Sequence, residues 1–373
     1  MARVVIVGCG VIGAAIAYEL SQVPELAITV LDHQLPAQGA TGAALGVLMG
    51  AISQKRKGYN LQRRLTSIQR YNDWIPELEA VTGRRILFNR QGILRLCLEN
   101  DDLNFWKTLA ELRQQQGWLL EICDRAWVSS HCPHLNLERA IGAVYSPQDR
   151  QVDPTALTLA LVQAAEQNGA QLKFDQTVTG ADTALSSTGL QNCQQIYTQN
   201  NSFSTDWLVI AAGLGSTPLT AALGHAVDIR PVLGQAVHVQ LKESLGNPTF
   251  QPIITAEDTH FVPLGNGHYW VGATVEFPAF PSEPIPDGAA LEALMQRAIA
   301  FCPALLEATI IRTWSGLRPR PEGQPAPLVE KLSGFQNVLL ATGHYRNGML
   351  LAPATAEQIR QMVVGEGEGD KLG

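Results

Sequence analysis

The sequence predicts an α/β protein in which one parallel sheet is assembled from three separated stretches of chain, with an α+β domain interleaved between them. Three observations point there. A β-branched run over residues 4–7 leads directly into Gly8-Cys9-Gly10-Val11-Ile12-Gly13. A second apolar run over residues 207–212 leads into Gly213-Leu214-Gly215-Ser216, and a third over residues 337–341 leads into Thr342-Gly343. Strands buried on both faces read as near-continuous apolar runs, and their carboxyl-end loops gather along one sheet edge, where ligands bind.

The opening carries the most information. After the first strand, Ile12, Ile16 and Leu20 recur at helical spacing, and a second β-rich run, Ile28-Thr29-Val30-Leu31, ends in Asp32. That is a complete Rossmann-like βαβ unit of about 30 residues. Gly8 permits the tight turn, Gly10 admits close approach of a pyrophosphate to the backbone, and Gly13 allows the helix to lie near the sheet. The helix amino end offers free amides and the positive end of its dipole to phosphate, and Asp32 can accept from an adenosine ribose. The pattern predicts nucleotide binding and does not separate NAD from FAD. The next segment, residues 40–48, is small, uncharged and punctuated by glycine, as backbone beside a large flat ligand would be; a tightly packed helix start is the competing reading.

Further along, residues 155–169 predict an amphipathic helix and residues 171–174 a strand, with Thr177-Val178 beyond it. Residues 101–116 look helical, residues 233–241 and 268–275 have strand character, and a last helix is expected over residues 353–364. The tail, residues 365–373, is rich in glycine and glutamate and is expected to be mobile. These elements divide the chain into a nucleotide domain built from residues 1–84, 146–226 and 311–373, and a substrate domain built from residues 85–145 and 227–310.

Composition excludes several classes. The 373 residues are 46% hydrophobic, too apolar for disorder, and the formal net charge of -7 argues against binding to nucleic acid or an anionic membrane. No stretch reaches the ~18 apolar residues of a membrane span, and no basic segment followed by an apolar one precedes the first strand. The six cysteines are scattered with no Cys-x-x-Cys pair, as in a reducing compartment. A cytoplasmic protein is the expectation.

With those motifs in place, the chain resembles the D-amino-acid-oxidase-like FAD oxidoreductases and, among them, the glycine oxidases of thiamine biosynthesis. The likeness spans most of the chain. It rests on the βαβ opening, residues 41–48, Asp149-Arg150-Gln151-Val152-Asp153-Pro154, Ala211-Ala212-Gly213, Val271-Gly272-Ala273-Thr274, Trp314-Ser315-Gly316-Leu317-Arg318-Pro319 and Gly343-His344-Tyr345-Arg346-Asn347-Gly348-Met349-Leu350-Leu351-Ala352-Pro353. It implies an FAD-binding domain. Val11, Ile12, Asp32 and His33 would contact the ADP half. Ala40, Thr41, Leu45, Gly46 and Val47 would line the stretch from pyrophosphate to flavin, and Val178 would hold the adenine. Ala212 and Gly213, with Gly343, His344, Tyr345, Arg346, Asn347, Gly348, Met349 and Leu350, would complete the cofactor site. Arg318 and Arg346 would bind the substrate carboxylate, which suits the planar, permanently charged guanidinium fork.

Two positions depart from the family pattern: His260 stands where a tyrosine of the substrate pocket is expected, and Val275 where a methionine is. Relatives that attach flavin to cysteine do so near the counterpart of residues 320–327; no cysteine lies there and Cys302 belongs to a predicted helix upstream, so noncovalent FAD is implied. His131-Cys132-Pro133-His134 has no second ligand pair at metal-like spacing and reads as a polar turn, so no metal site is expected. Lys55-Arg56-Lys57 reads as a solvated loop.

The implied activity is FAD-dependent oxidative deamination of glycine or another small amine or amino acid. The flavin performs the chemistry, with no catalytic side chain required, and the products are an imine, then glyoxylate and ammonia, with peroxide formed from molecular oxygen. A thiazole synthase partner and a homo-oligomer are also implied. Oxidation of sarcosine, proline or a D-amino acid, by an oxidase or a dehydrogenase, is the related alternative. An NAD-dependent or non-catalytic nucleotide-binding protein is the alternative of another class.

Overall fold

A computed structural model describes residues 1–187, 189–278 and 284–365; most of the tail expected to be mobile lies outside them. The first, central and late apolar runs do form one sheet. Its six strands lie in the order Leu328–Lys331, Val338–Thr342, Trp207–Ile210, Ala2–Val7, Leu26–Leu31 and Gln171–Lys173. Every neighbouring pair is parallel except the first, which is antiparallel. The register sets Val7 beside both Ile210 and Leu31, and Ile210 beside Leu340. The turns that follow these strands therefore emerge side by side.

The helix Val11–Ser21 is buried along almost its whole length, as its Ala- and Ile-rich sequence requires. It packs between the helices Pro154–Gln167 and Gly348–Val364. The first of those is capped by Asp153, whose side chain accepts from the Ala156 amide at 2.8 Å. The last helix begins five residues before its predicted start, with Pro353 inside it. Proline lacks the amide that would bond the carbonyl four residues back, which is Met349. The Tyr71 hydroxyl donates to that carbonyl instead, so the helix continues through the proline.

The second sheet has eight strands, in the order Thr309–Pro321, Ile229–Gln240, His268–Gly272, Thr259–Gly265, Ile253–Ala256, Ile93–Leu98, Ala140–Ser146 and Glu121–Cys123. The helical residues expected over 101–116 appear as Leu103–Gln115, capped by Asp102. One boundary differs from the sequence-based division. Residues 311–321 were grouped with the nucleotide segments, yet Thr309–Pro321 pairs along its length with Ile229–Gln240 of the larger sheet. That pairing depends on a partner strand about 80 positions away in the chain, which no local pattern reports.

His131 ends a helix, Arg125–His131, rather than lying in a turn, and its ring stacks on Trp127 with centroids 3.9 Å apart. Lys55, Arg56 and Lys57 are exposed. All six cysteines are free and buried. Among the described residues no helix is long and apolar enough to cross a membrane, and no group of three metal-capable side chains gathers.

Candidate active site

One cavity of about 1350 Å³ runs along the carboxyl edge of the six-stranded sheet to the residues of the larger sheet that face it. At one end stands the amino terminus of the helix Val11–Ser21. Gly10 occupies the cap position without a side-chain bond, and the Thr41 hydroxyl accepts from the Val11 amide at 3.0 Å. The amides that follow have no partner within the helix and, with its dipole, favour an anion. A Cβ on Gly10 would meet only the Thr41 hydroxyl, so this backbone is open to a ligand. Gly13 serves another purpose: a Cβ there would run into the Gly8 carbonyl. It sets the spacing of helix and strand, as its place in the motif predicts, and does not line the cavity.

Asp32 lies beside this terminus. One of its oxygens accepts from the Cys9 amide at 2.6 Å and the other from the Gln34 amide at 3.0 Å. A carboxylate offers about four lone-pair positions, so capacity remains for a ribose hydroxyl. His33 lines the same stretch, with Nδ1 3.1 Å from Asp32. Cys9 lines it too, but burial, assisted by the Asp32 charge, pushes its thiol up to about 12. It is a neutral thiol and a poor nucleophile. Val178, Ala212 and Gly213 also line the cavity.

Ala40, Thr41, Leu45, Gly46 and Val47 line its wall. This loop is a series of turns ending in a short strand, Val47–Leu48, rather than a helix start. It is held from two sides. The Trp314 indole N–H donates to the Ala43 carbonyl at 3.1 Å, and a Cβ on Gly316 would run into the Ala43 methyl. Below, buried Asp149 accepts from the amides of Gly50, Ala51 and Ile52 at 2.6, 2.9 and 2.8 Å. Burial raises its carboxyl while those amides oppose the rise. Arg113, also buried, donates to the carbonyls of Ala51 and Ser53 at 2.7 Å each. The roles of Asp149 and Arg113 were not foreseen, because each acts on backbone far away in the chain and no local pattern announces it.

At the far end Gly343, His344, Tyr345, Arg346, Gly348 and Met349 line the cavity. His344 is buried, with Nε2 2.9 Å from the Thr355 hydroxyl, and burial followed by the Arg63 charge pushes it down to about 3, so the ring is neutral. Two expected cofactor residues lie outside the lining. Asn347 does not line the cavity; its Oδ1 accepts from Arg64 at 2.8 Å. Leu350, in the first turn of the last helix, points into the core and is 2% exposed.

Arg318, Arg346 and His260 meet at this end. Arg318 donates from Nη1 to the Leu233 carbonyl and from Nη2 to the Thr274 carbonyl, both at 3.0 Å, which leaves three of its five N–H groups for a ligand. Burial, and then the Arg346 charge, lower its pKa; an arginine so placed stays charged and gains from an incoming anion. Arg346 faces Asp258, with Nη2 3.6 Å from Oδ1. His260 has Nδ1 2.6 Å from the Thr255 hydroxyl, and burial with the charge of Arg346 pushes it down to about 4. Val275 does not line the cavity.

The donor set fits FAD: an anion-favouring helix terminus on a long cleft, a carboxylate beside it and a wall of small residues beyond. The profile of the FAD dependent oxidoreductase family (DAO) matches residues 3–362. A bifunctional protein ThiO/ThiG from Synechocystis is 33% identical over 97% of this chain and 51% of its own. A glycine oxidase from Geobacillus kaustophilus is 29% identical over 96% of this chain and 92% of its own. The solved structure of a glycine oxidase from Bacillus cereus superimposes with a TM-score of 0.86 at 26% identity, covering 99% of this chain and 96% of that one. The chain spans about half the length of the ThiO/ThiG relatives it matches.

Proposed function

The chain belongs to the DAO family of FAD-dependent oxidoreductases, and on that premise we propose that it oxidises the α-carbon of glycine or a similarly small amino acid. The observation that carries this reading is the convergence of Arg318 and Arg346 at one end of the cavity whose other end is the nucleotide cradle. Gly10, Val11 and Ile12 would hold the pyrophosphate, Asp32 the ribose, residues 40–47 the stretch toward the flavin, and residues 343–349 its far side. When bound, FAD would supply the acceptor for the electron pair that leaves the substrate carbon with its hydrogen.

This chain's own residues bind and orient. Two guanidinium groups fix the carboxylate and with it the direction of the Cα–H bond, and such positioning removes translational and rotational entropy from the barrier. The cationic pair also favours the neutral form of the substrate amine, whose lone pair must be free as the hydrogen leaves. His260, held neutral, adds no positive charge near that amine. The imine released would hydrolyse to glyoxylate and ammonia, with peroxide as the product of oxygen. Cys9 as a buried neutral thiol, and the absence of any cysteine in residues 320–327, support noncovalent FAD. The ThiO/ThiG relatives support a thiazole synthase as the consumer of the imine, and the six buried free cysteines support a cytoplasmic location.

The test is oxygen uptake, peroxide and glyoxylate formation by the FAD-loaded protein with glycine, sarcosine, D-proline and D-alanine. Glycine is expected to support all three readouts. Uptake with another of these amines alone would overturn the assignment of glycine. Flavin that stays oxidised with every amine, even without oxygen, would overturn amine oxidation itself.

A further inference from the structure

We propose that Asp258 is an internal competitor for the substrate carboxylate at Arg346, so that this exposed aspartate sets how tightly the site takes an anion. The inference rests on the reading of Arg346 as a carboxylate anchor. Arg346 Nη2 lies 3.6 Å from Asp258 Oδ1, within ion-pair range and beyond a normal hydrogen bond, with the side chains 38% and 77% exposed. A pair of that kind attracts without locking.

The backbone supports a specific role for the position. Ala256 pairs with Thr259, so Glu257 and Asp258 are the two loop residues of a tight hairpin, with φ of 45° and 61°. Hairpin turns of this geometry favour Asn-Gly or Asp-Gly, because glycine occupies the left-handed region without a steric cost. Here an aspartate holds the glycine position, and its side chain faces Arg346, a cationic group that the Leu233 and Thr274 carbonyls do not hold. His260, on the strand that follows the turn, lines the cavity together with Arg346. An arriving carboxylate takes the same donor of Arg346 and displaces Asp258, which swings to solvent with its turn. The substrate's affinity is the difference between the two pairings.

The test is calorimetric titration of the FAD-loaded protein with acetate, a carboxylate with no amine to oxidise. Asp258→Asn keeps a residue that tolerates positive φ. It is expected to bind acetate about two- to fivefold more tightly than wild type, the range for an exposed pair. Glu257→Gln, which removes the adjacent carboxylate paired with Arg139 at 3.2 Å, is expected to bind as wild type does. Equal or weaker binding by Asp258→Asn, or an equal gain in Glu257→Gln, would overturn the competitor role while leaving the anchor intact. Undiminished acetate binding by Arg346→Gln would instead remove the anchor, and the competitor with it.

Discussion

Gly234 leaves the space that the Arg318 guanidinium fills: a Cβ on Gly234 would run into Cζ, Nη1 and Nη2 together. The neighbouring Leu233 and Thr274 carbonyls then fix the fork in its plane. Gly234→Ala should therefore displace the anchor without removing its charge, raising KM for glycine with a smaller effect on FAD content. Arg318→Ala removes charge and fork together and should cost about 2–5 kcal/mol in kcat/KM. Steady-state kinetics on both variants checks the order; an unchanged KM in Arg318→Ala would take that residue out of the site.

The contact between Gly316 and Ala43 ties the larger sheet to the loop beside the flavin. Gly316→Val must push the two apart, since the methyl of Ala43 has nowhere to go without moving its backbone. The expected outcome is a protein that folds and loses FAD on gel filtration, read from the ratio of flavin to protein absorbance. Trp314→Phe deletes the indole bond to the Ala43 carbonyl and keeps an aromatic ring beside Trp270 and Arg312, so its effect should be milder, about 0.5–1.5 kcal/mol in FAD affinity. Full retention of FAD by Gly316→Val would show that the loop does not depend on that strand.

What the sequence revealed and what it concealed divide by distance along the chain. The βαβ opening was legible because strand, glycines, helix and Asp32 are consecutive and each is forced by local geometry. Arg346 was legible because it sits in the turn after a buried strand, whereas Arg318 was reached through the resemblance of its Trp314–Pro319 motif. Gly13, Asn347 and Leu350 lie in the expected turns but do not line the cavity, because helix packing and the Arg64 partner decide which way these positions face. Asp149 and Asp258 were not read as functional supports because their partners lie 97 or more and 88 positions away.

Asp149 offers a test of stability rather than of binding. Its two oxygens satisfy three buried amides, at residues 50, 51 and 52. Removing an acceptor strands those donors at about 1–3 kcal/mol each. Asp149→Ala should thus destabilise the protein by on the order of 3 kcal/mol or more and lower its Tm by several degrees. Asp149→Asn keeps one carbonyl oxygen and should fall between. A Tm unchanged in Asp149→Ala would mean that the three amides do not depend on the carboxylate.

The buried His344 makes stability depend on acidity in a definite direction. Its ring is held neutral at a pKa of about 3, against 6.5 for an unburied imidazole. Between those values the unfolded chain binds a proton at this position and the folded chain does not. Stability from this site is therefore complete above about pH 6.5 and is lost as pH falls toward 3, at up to about 1.4 kcal/mol per pH unit. His344→Gln can still meet the Thr355 hydroxyl but cannot titrate. With FAD saturating, the Tm of wild type should drop more steeply than that of the variant between pH 6.5 and pH 5, although the variant starts lower at pH 7.5. Parallel curves across that interval would mean that the folded protein protonates His344 as readily as the unfolded chain does, and the imidazole could not then be the neutral partner of Thr355.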